Sequence, residues 1–122
     1  MNSQPSRQNI CILGSTGSIG ENTLDVISRN PERFNVVALT ANRNVKKLAR
    51  QCAAFDAELA VVADPALVSE LAICLEAEGS RAEILCGEDG LVSAAGMPGT
   101  DTVMAAIVGA AGLAPTFHAA QQ

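Results

Sequence analysis

The chain contains no tryptophan, no tyrosine and only three phenylalanines among its 122 residues. Any core must therefore be assembled from Ala, Val, Leu and Ile, which suits the thin layers of an α/β sheet. The same shortage removes the aromatic platforms on which single-stranded nucleic acids stack. Basic residues are also few: eight Lys and Arg against thirteen Asp and Glu leave a net charge of −5. So acidic a chain is a poor general polyanion binder, and no nucleic-acid partner is expected. A single phosphate held locally by backbone N–H groups remains compatible with it. The four cysteines, Cys11, Cys52, Cys74 and Cys86, form no C-x-x-C pair. They read as four buried free thiols rather than a disulfide or zinc framework, which fits a reducing compartment. Long apolar runs are missing too. No segment reaches the roughly 18 apolar residues of a membrane span, and residues 1–8 lack the apolar core of a signal peptide. A cytoplasmic location with no membrane partner is expected.

What is present is apolar and regularly spaced. Hydrophobic residues make up 48% of the chain, enough for the core of one compact domain over residues 9–122 behind a disordered tail, residues 1–8. Strands are predicted at 9–13, 34–40, 58–63, 82–86 and 101–109, with helical segments between them. The first helix, 18–29, places Ile19, Thr23, Val26 and Ile27 on one face and stops before Pro31. In the second, Val45, Leu48, Ala49 and Cys52 form an amphipathic stripe behind Asn44, a good N-cap. Asp64-Pro65 opens a third helix lined by Leu67, Leu71 and Leu75 and ended by Gly79. A short helix near 88–95 precedes the break at Met97-Pro98-Gly99, and a last helix begins near Leu113. This β–α alternation predicts a Rossmann-like, doubly wound parallel sheet with helices on both faces. Ligands of such sheets bind beyond the carboxyl ends of the strands, where strand order reverses.

The first βα turn, "ILGSTGSIGENTLDVI" at 12–27, lies at that end. It carries Gly14, Gly17 and Gly20, with a first gap one residue wider than the G-x-G-x-x-G fingerprint. The unpaired N–H groups and partial positive charge of a helix start favour a pyrophosphate. Gly14 permits a tight exit from the strand, Gly17 clears space for the phosphates, and Gly20 allows close packing of the helix. The N–H groups of Thr16, Gly17, Ser18 and Ile19 point at the phosphates in this reading, with the hydroxyls of Ser15, Thr16 and Ser18 around them. A merely tight turn is the alternative. No Gly-Lys-Ser/Thr occurs, which sets a Walker loop aside.

The end of the second strand bears on which dinucleotide is held. An NAD site carries an Asp or Glu there, about 20 residues past the glycines, for the ribose 2′-OH. The sequence at 38–44 is "ALTANRN", with Asn42, Arg43 and Asn44 and no carboxylate. A guanidinium between two amides suits a 2′-phosphate, so NADP is favoured. The alternative is an ordinary exposed Arg at a helix start, although a cation there opposes the helix dipole. The smooth run "MAAIVGAAGLAP", 104–115, admits a flat ring or another backbone, or else tight helix–sheet packing. His118, the single histidine, has no acidic neighbour in sequence and reads as a surface residue. No metal cluster and no nucleophile–base pair is apparent. Two other classes share these features: a non-catalytic NAD(P)-sensing domain of a regulator, and a ligand-free interaction domain.

Three strings together resemble the 1-deoxy-D-xylulose 5-phosphate reductoisomerase family: "ILGSTGSIGENTLDVI", "NPERFNVVALTANRNVKKLARQC" and "VMAAIVGAAGLAPT". The resemblance runs from about Asn9 to Gln122. It implies an NADPH-binding domain, with Thr16, Gly17, Ser18 and Ile19 at the pyrophosphate and Asn42, Arg43 and Asn44 at the adenosine ribose and 2′-phosphate. The family triplet often begins with Gly, where Asn42 stands here. Ala106, Ile107, Val108 and Gly109 are implied beside the cofactor toward the nicotinamide. The implied reaction converts 1-deoxy-D-xylulose 5-phosphate to 2-C-methyl-D-erythritol 4-phosphate with NADPH and Mg²⁺ or Mn²⁺, in a full-length homodimer. In that family the metal ligands, substrate-phosphate residues and a helical domain lie further along than Gln122. The expectation is therefore NADPH binding without turnover; the sugar-phosphate substrate needs those further domains.

Overall fold

The computed structural model describes residues 8–105. Five strands, β1 (Gln8–Leu13), β2 (Phe34–Ala41), β3 (Leu59–Val62), β4 (Glu83–Cys86) and β5 (Thr102–Ala105), alternate with four helices. These are α1 (Ser18–Ser28), α2 (Val45–Phe55), α3 (Val68–Glu78) and α4 (Gly87–Ala95). All strand pairs are parallel, in the order β4-β3-β2-β1-β5. The chain winds outward from β1 to β4, then crosses back to lay β5 against the free side of β1. That reversal places the switch point between β1 and β5, the crevice at which such sheets bind ligands.

Right-handed crossovers oblige the helices to change face when the winding direction changes. Two cores result. Leu24 and Ile27 of α1, the Val45–Leu48–Ala49–Cys52 stripe of α2, and Leu71 and Leu75 of α3 cover one face of the sheet. Leu91, Ala94 and Ala95 of α4 cover the other, over Cys11, Val37, Ala38, Val61 and Val103. The expected doubly wound architecture is the one observed. Local signals act where the sequence placed them. The Asn44 side chain accepts from the Lys47 N–H at 3.2 Å to cap α2. Asp64 accepts from the Ala66 N–H at 3.0 Å to open a 3₁₀ turn at Pro65–Leu67 that leads into α3. Gly79, at φ 79°, ends α3 in the left-handed region.

Three expectations change. Gln8, assigned to the tail, opens β1, and its N–H donates to the Arg33 carbonyl at 2.9 Å. In α1 the buried face is Gly20, Leu24 and Ile27, while Ile19 and Val26 are 47% and 56% exposed. Spacing alone could not choose between two adjacent stripes; contact with the glycine turn decides, because only Gly20 lets the helix come close. Of the four free thiols, Cys11 and Cys52 are buried, but Cys74, on α3, and Cys86, at the end of the edge strand β4, are half-buried. The tail 1–7, the strand beyond Ala105, the last helix and His118 lie outside the described residues.

One irregularity shapes the site. Ile10 pairs with Val36 but Cys11 pairs with Ala38, so β2 carries an extra residue at Val37. The bulge sends Val37 and Ala38 into the same core and returns Leu39 and Ala41 to the other. Thr40, buried at the end of this re-phased strand, is thereby set facing the turn that follows β1.

Candidate functional site

The turn after β1 is held from beneath by two polar residues. Thr40 takes both inward N–H groups: its Oγ1 accepts from Gly14 at 2.8 Å and its carbonyl from Ser15 at 2.8 Å. Gln51, on the second turn of α2, takes the rest of Ser15. Its Oε1 accepts from the Ser15 hydroxyl at 2.7 Å, and its Nε2 donates to the Ser15 carbonyl at 3.0 Å. Ser15 is fully buried and its hydroxyl belongs to this clamp, which corrects the sequence reading that set it beside the phosphates. Thr40 and Gln51 escaped sequence reasoning. The available signals were a lone hydroxyl in the apolar run "VVALTA" and an amide bordering the apolar stripe of α2.

Above the clamp the turn is exposed. Gly14 sits at φ 79°, a conformation glycine adopts freely. Gly17 is the N-cap of α1 and makes no side-chain cap. Its N–H leans back on the Gly14 carbonyl at 3.3 Å, and its own carbonyl accepts from Glu21 at 2.8 Å. No side chain among the described residues caps the N–H groups of Ser18, Ile19 and Gly20. Thr16 is half-buried, and Gly17, Ser18 and Ile19 are exposed.

Gly17, the N-cap of α1, and Gly20, in its first turn, are glycines for different reasons. A Cβ at Gly20 would lie 2.5 Å from Ser15 Cα and 2.6 Å from the Gly14 and Ser15 carbonyl oxygens, all backbone. A Cβ at Gly17 would meet only the Gly14 oxygen, at an ordinary 3.7 Å, and its φ of −83° suits any residue. The fold requires Gly20 and does not require Gly17.

Asn42, Arg43 and Asn44 follow β2, the strand next to β1, and all three are exposed. Only Ala41 separates Asn42 from Thr40, a reach of at most about 7 Å, so this loop stands beside the glycine turn. Asn44 spends its oxygen on the α2 cap, and the Arg43 carbonyl accepts from Val45 at 2.8 Å. Asn42 also edges a cavity of about 260 Å³ lined by Thr40, Ala41, Ala63 and Leu91, between the ends of β2 and β3 and the flank of α4. Glu21, the one acid in the first turn of α1, is paired with Lys47 Nζ of α2. Thus both predicted segments meet at the carboxyl end of the sheet. Ala106, Ile107, Val108 and Gly109 lie outside the described residues.

Residues 10–122 match the family model described as 1-deoxy-D-xylulose 5-phosphate reductoisomerase. A 1-deoxy-D-xylulose 5-phosphate reductoisomerase of Burkholderia multivorans is 53% identical over 115 residues, 94% of this chain and 29% of that protein. The chain thus spans less than a third of the length of the curated relatives it matches. Among solved structures, the Zymomonas mobilis reductoisomerase in complex with NADPH is 50% identical, with a TM-score of 0.79. The match covers 85% of this chain and 27% of that one. A reductoisomerase in complex with NADPH, fosmidomycin and magnesium is 40% identical with a TM-score of 0.79, over 87% of this chain and 26% of that one. Family model, sequence relatives and fold agree, and the chain belongs to the 1-deoxy-D-xylulose 5-phosphate reductoisomerase family.

Proposed function

We propose that this chain is the NADPH-binding portion of a 1-deoxy-D-xylulose 5-phosphate reductoisomerase and binds the cofactor without turning over substrate. The observation that carries this reading is the uncapped start of α1 beside Gly17, a glycine for which the fold itself has no need. The lack of a side chain at Gly17 and the uncapped N–H groups of α1 suit a pyrophosphate. In this reading Thr16, Gly17, Ser18 and Ile19 hold the pyrophosphate. Asn42, Arg43 and Asn44 hold the adenosine ribose and its 2′-phosphate, Arg43 by a charge-assisted fork. The exposure of these three side chains and the lack of a carboxylate among them support NADPH over NADH. The cavity against Leu91 offers an apolar seat for the adenine end. Bound here, the dinucleotide supplies the hydride of the reduction; the chain's own residues orient it at the switch point.

The whole enzyme of this reading converts 1-deoxy-D-xylulose 5-phosphate to 2-C-methyl-D-erythritol 4-phosphate as a cytoplasmic homodimer, with a divalent cation that these site residues do not ligate. No helix among the described residues is long and apolar enough to cross a membrane.

Titration of NADPH and NADH into the chain, and into Arg43→Ala, tests the reading. The unaltered chain binds NADPH at least tenfold tighter than NADH, from one charge-assisted contact of roughly 1.5–3 kcal/mol. Arg43→Ala lowers that ratio toward one. An unchanged ratio removes Arg43 from the 2′-phosphate, and absence of NADPH binding removes the proposal. Given substrate, Mg²⁺ and NADPH, the chain leaves the reduced-nicotinamide absorbance constant.

A further inference from the structure

Gln51 is not among the residues assigned to the cofactor, yet it controls one of the groups that are. The peptide between Ser15 and Thr16 is a planar trans unit, so its carbonyl oxygen and its N–H point in opposite directions. Gln51 Nε2 holds that oxygen inward, at 3.0 Å. The Thr16 N–H on the same plane must therefore face out of the turn. A backbone carbonyl can only accept, which fixes the amide nitrogen of Gln51 on it and leaves Oε1 for the Ser15 hydroxyl, at 2.7 Å. The neighbouring N–H groups are already spent inward, Gly14 and Ser15 both on Thr40. Thr16 is thus the first N–H of the turn free to meet a ligand, and its direction depends on a side chain from another helix.

We infer that Gln51 is a positioning residue that aims the Thr16 N–H at the cofactor's pyrophosphate by locking the Ser15–Thr16 peptide. The inference rests on the turn being a pyrophosphate site, as proposed above. The lock joins the two halves of the site. Its donor stands on α2, the helix capped by Asn44, so this amide acts with Thr40 to set the 2′-phosphate loop and the pyrophosphate turn relative to each other.

Two variants and two ligands test it. Gln51→Met keeps the length of the side chain and loses both hydrogen bonds. Gln51→Glu keeps the acceptor for the Ser15 hydroxyl and turns a carboxylate oxygen against the Ser15 carbonyl. Each weakens NADPH by about tenfold, the usual worth of one hydrogen bond to a charged group. Binding of 2′-AMP, which carries no pyrophosphate, stays within about threefold of the unaltered chain. Ser15→Ala leaves the amide–carbonyl bond in place and keeps NADPH within the same threefold. The assignment is overturned by unchanged NADPH affinity in Gln51→Met and Gln51→Glu. It is equally overturned by parallel loss of 2′-AMP in both, which makes Gln51 a general folding residue, or by Ser15→Ala weakening NADPH as much as Gln51→Met. If the unaltered chain binds no NADPH, the proposed function falls and this assignment with it. NADPH bound by the unaltered chain and equally by both Gln51 variants removes this assignment alone.

Discussion

Gly17 and Gly20, three residues apart on one turn, separate what the fold demands from what a ligand demands. An alanine at 20 meets three backbone atoms of Gly14 and Ser15 at 2.5–2.6 Å, and backbone cannot swing away as a side-chain tip can. Gly20→Ala is expected to destabilise the chain by about 1–3 kcal/mol, the range of overpacked cores, as read from urea unfolding midpoints. An alanine at 17 makes one ordinary contact, 3.7 Å from the Gly14 oxygen, so Gly17→Ala costs only the poorer N-cap preference of Ala, about 1 kcal/mol or less. The same methyl adds bulk at the uncapped start of α1, and NADPH binding is expected to fall by tenfold or more. Equal stability losses at 17 and 20 would refute the distinction. The pattern G-x-x-G-x-x-G was legible in sequence; which glycine serves which purpose was not. That depends on where the backbone of residues 14 and 15 passes relative to the helix.

The elements were legible in proportion to how local their signals are. Asn44, Asp64 and Gly79 act within one turn of chain, and each does in the structure what its residue type dictates. The α2 stripe needed only a period of 3.6 residues. The face of α1 was misplaced because its docking surface is a turn, not the sheet alone, and Gly20 has no side chain to register as apolar. The pairing of α1 with α2 was also invisible. Glu21 complements the dipole of α1 but stands near where the proposed pyrophosphate would sit, and Lys47 neutralises it from the next helix. Lys47→Met is expected to change stability by less than about 1 kcal/mol, since the pair is partly exposed. NADPH affinity should drop several-fold, and the drop should shrink as salt is raised. Calorimetric titration at low and high ionic strength checks both; a drop independent of salt would argue against a role through charge.

For the whole molecule, the thin aliphatic core has a consequence in alkaline solution. Cys11 lies in β1 under one core and Cys52 in α2 under the other, and burial pushes both thiols up to about 12 from 9.0. The neutral thiol is the form the folded state favours. Stability from these groups is therefore fully present below pH 9 and is lost as pH rises from 9 toward 12. Each thiol contributes a slope of about 1.4 kcal/mol per pH unit in that window. Urea unfolding at pH 8, 9 and 10 should show this decline, and a chain carrying Cys11→Ala and Cys52→Ala should show a shallower one. Identical slopes would mean that the thiols ionise equally in both states.

By itself the sequence determined the elements and their order, the caps, the parallel doubly wound class, and the two segments of the candidate site. Those follow from forces that act within a few residues: allowed φ, side-chain capping, apolar period and the handedness of crossovers. Only the tertiary structure decided the extra residue at Val37, the buried face of α1, and the Thr40 and Gln51 clamp on the glycine turn. These depend on contacts between residues 26 and 36 positions apart, Thr40 with Gly14 and Gln51 with Ser15, where no short-range rule reaches. The direction of the Thr16 N–H is set in the same way, by a planar peptide whose other end is held from a helix that the turn's own residues do not contain.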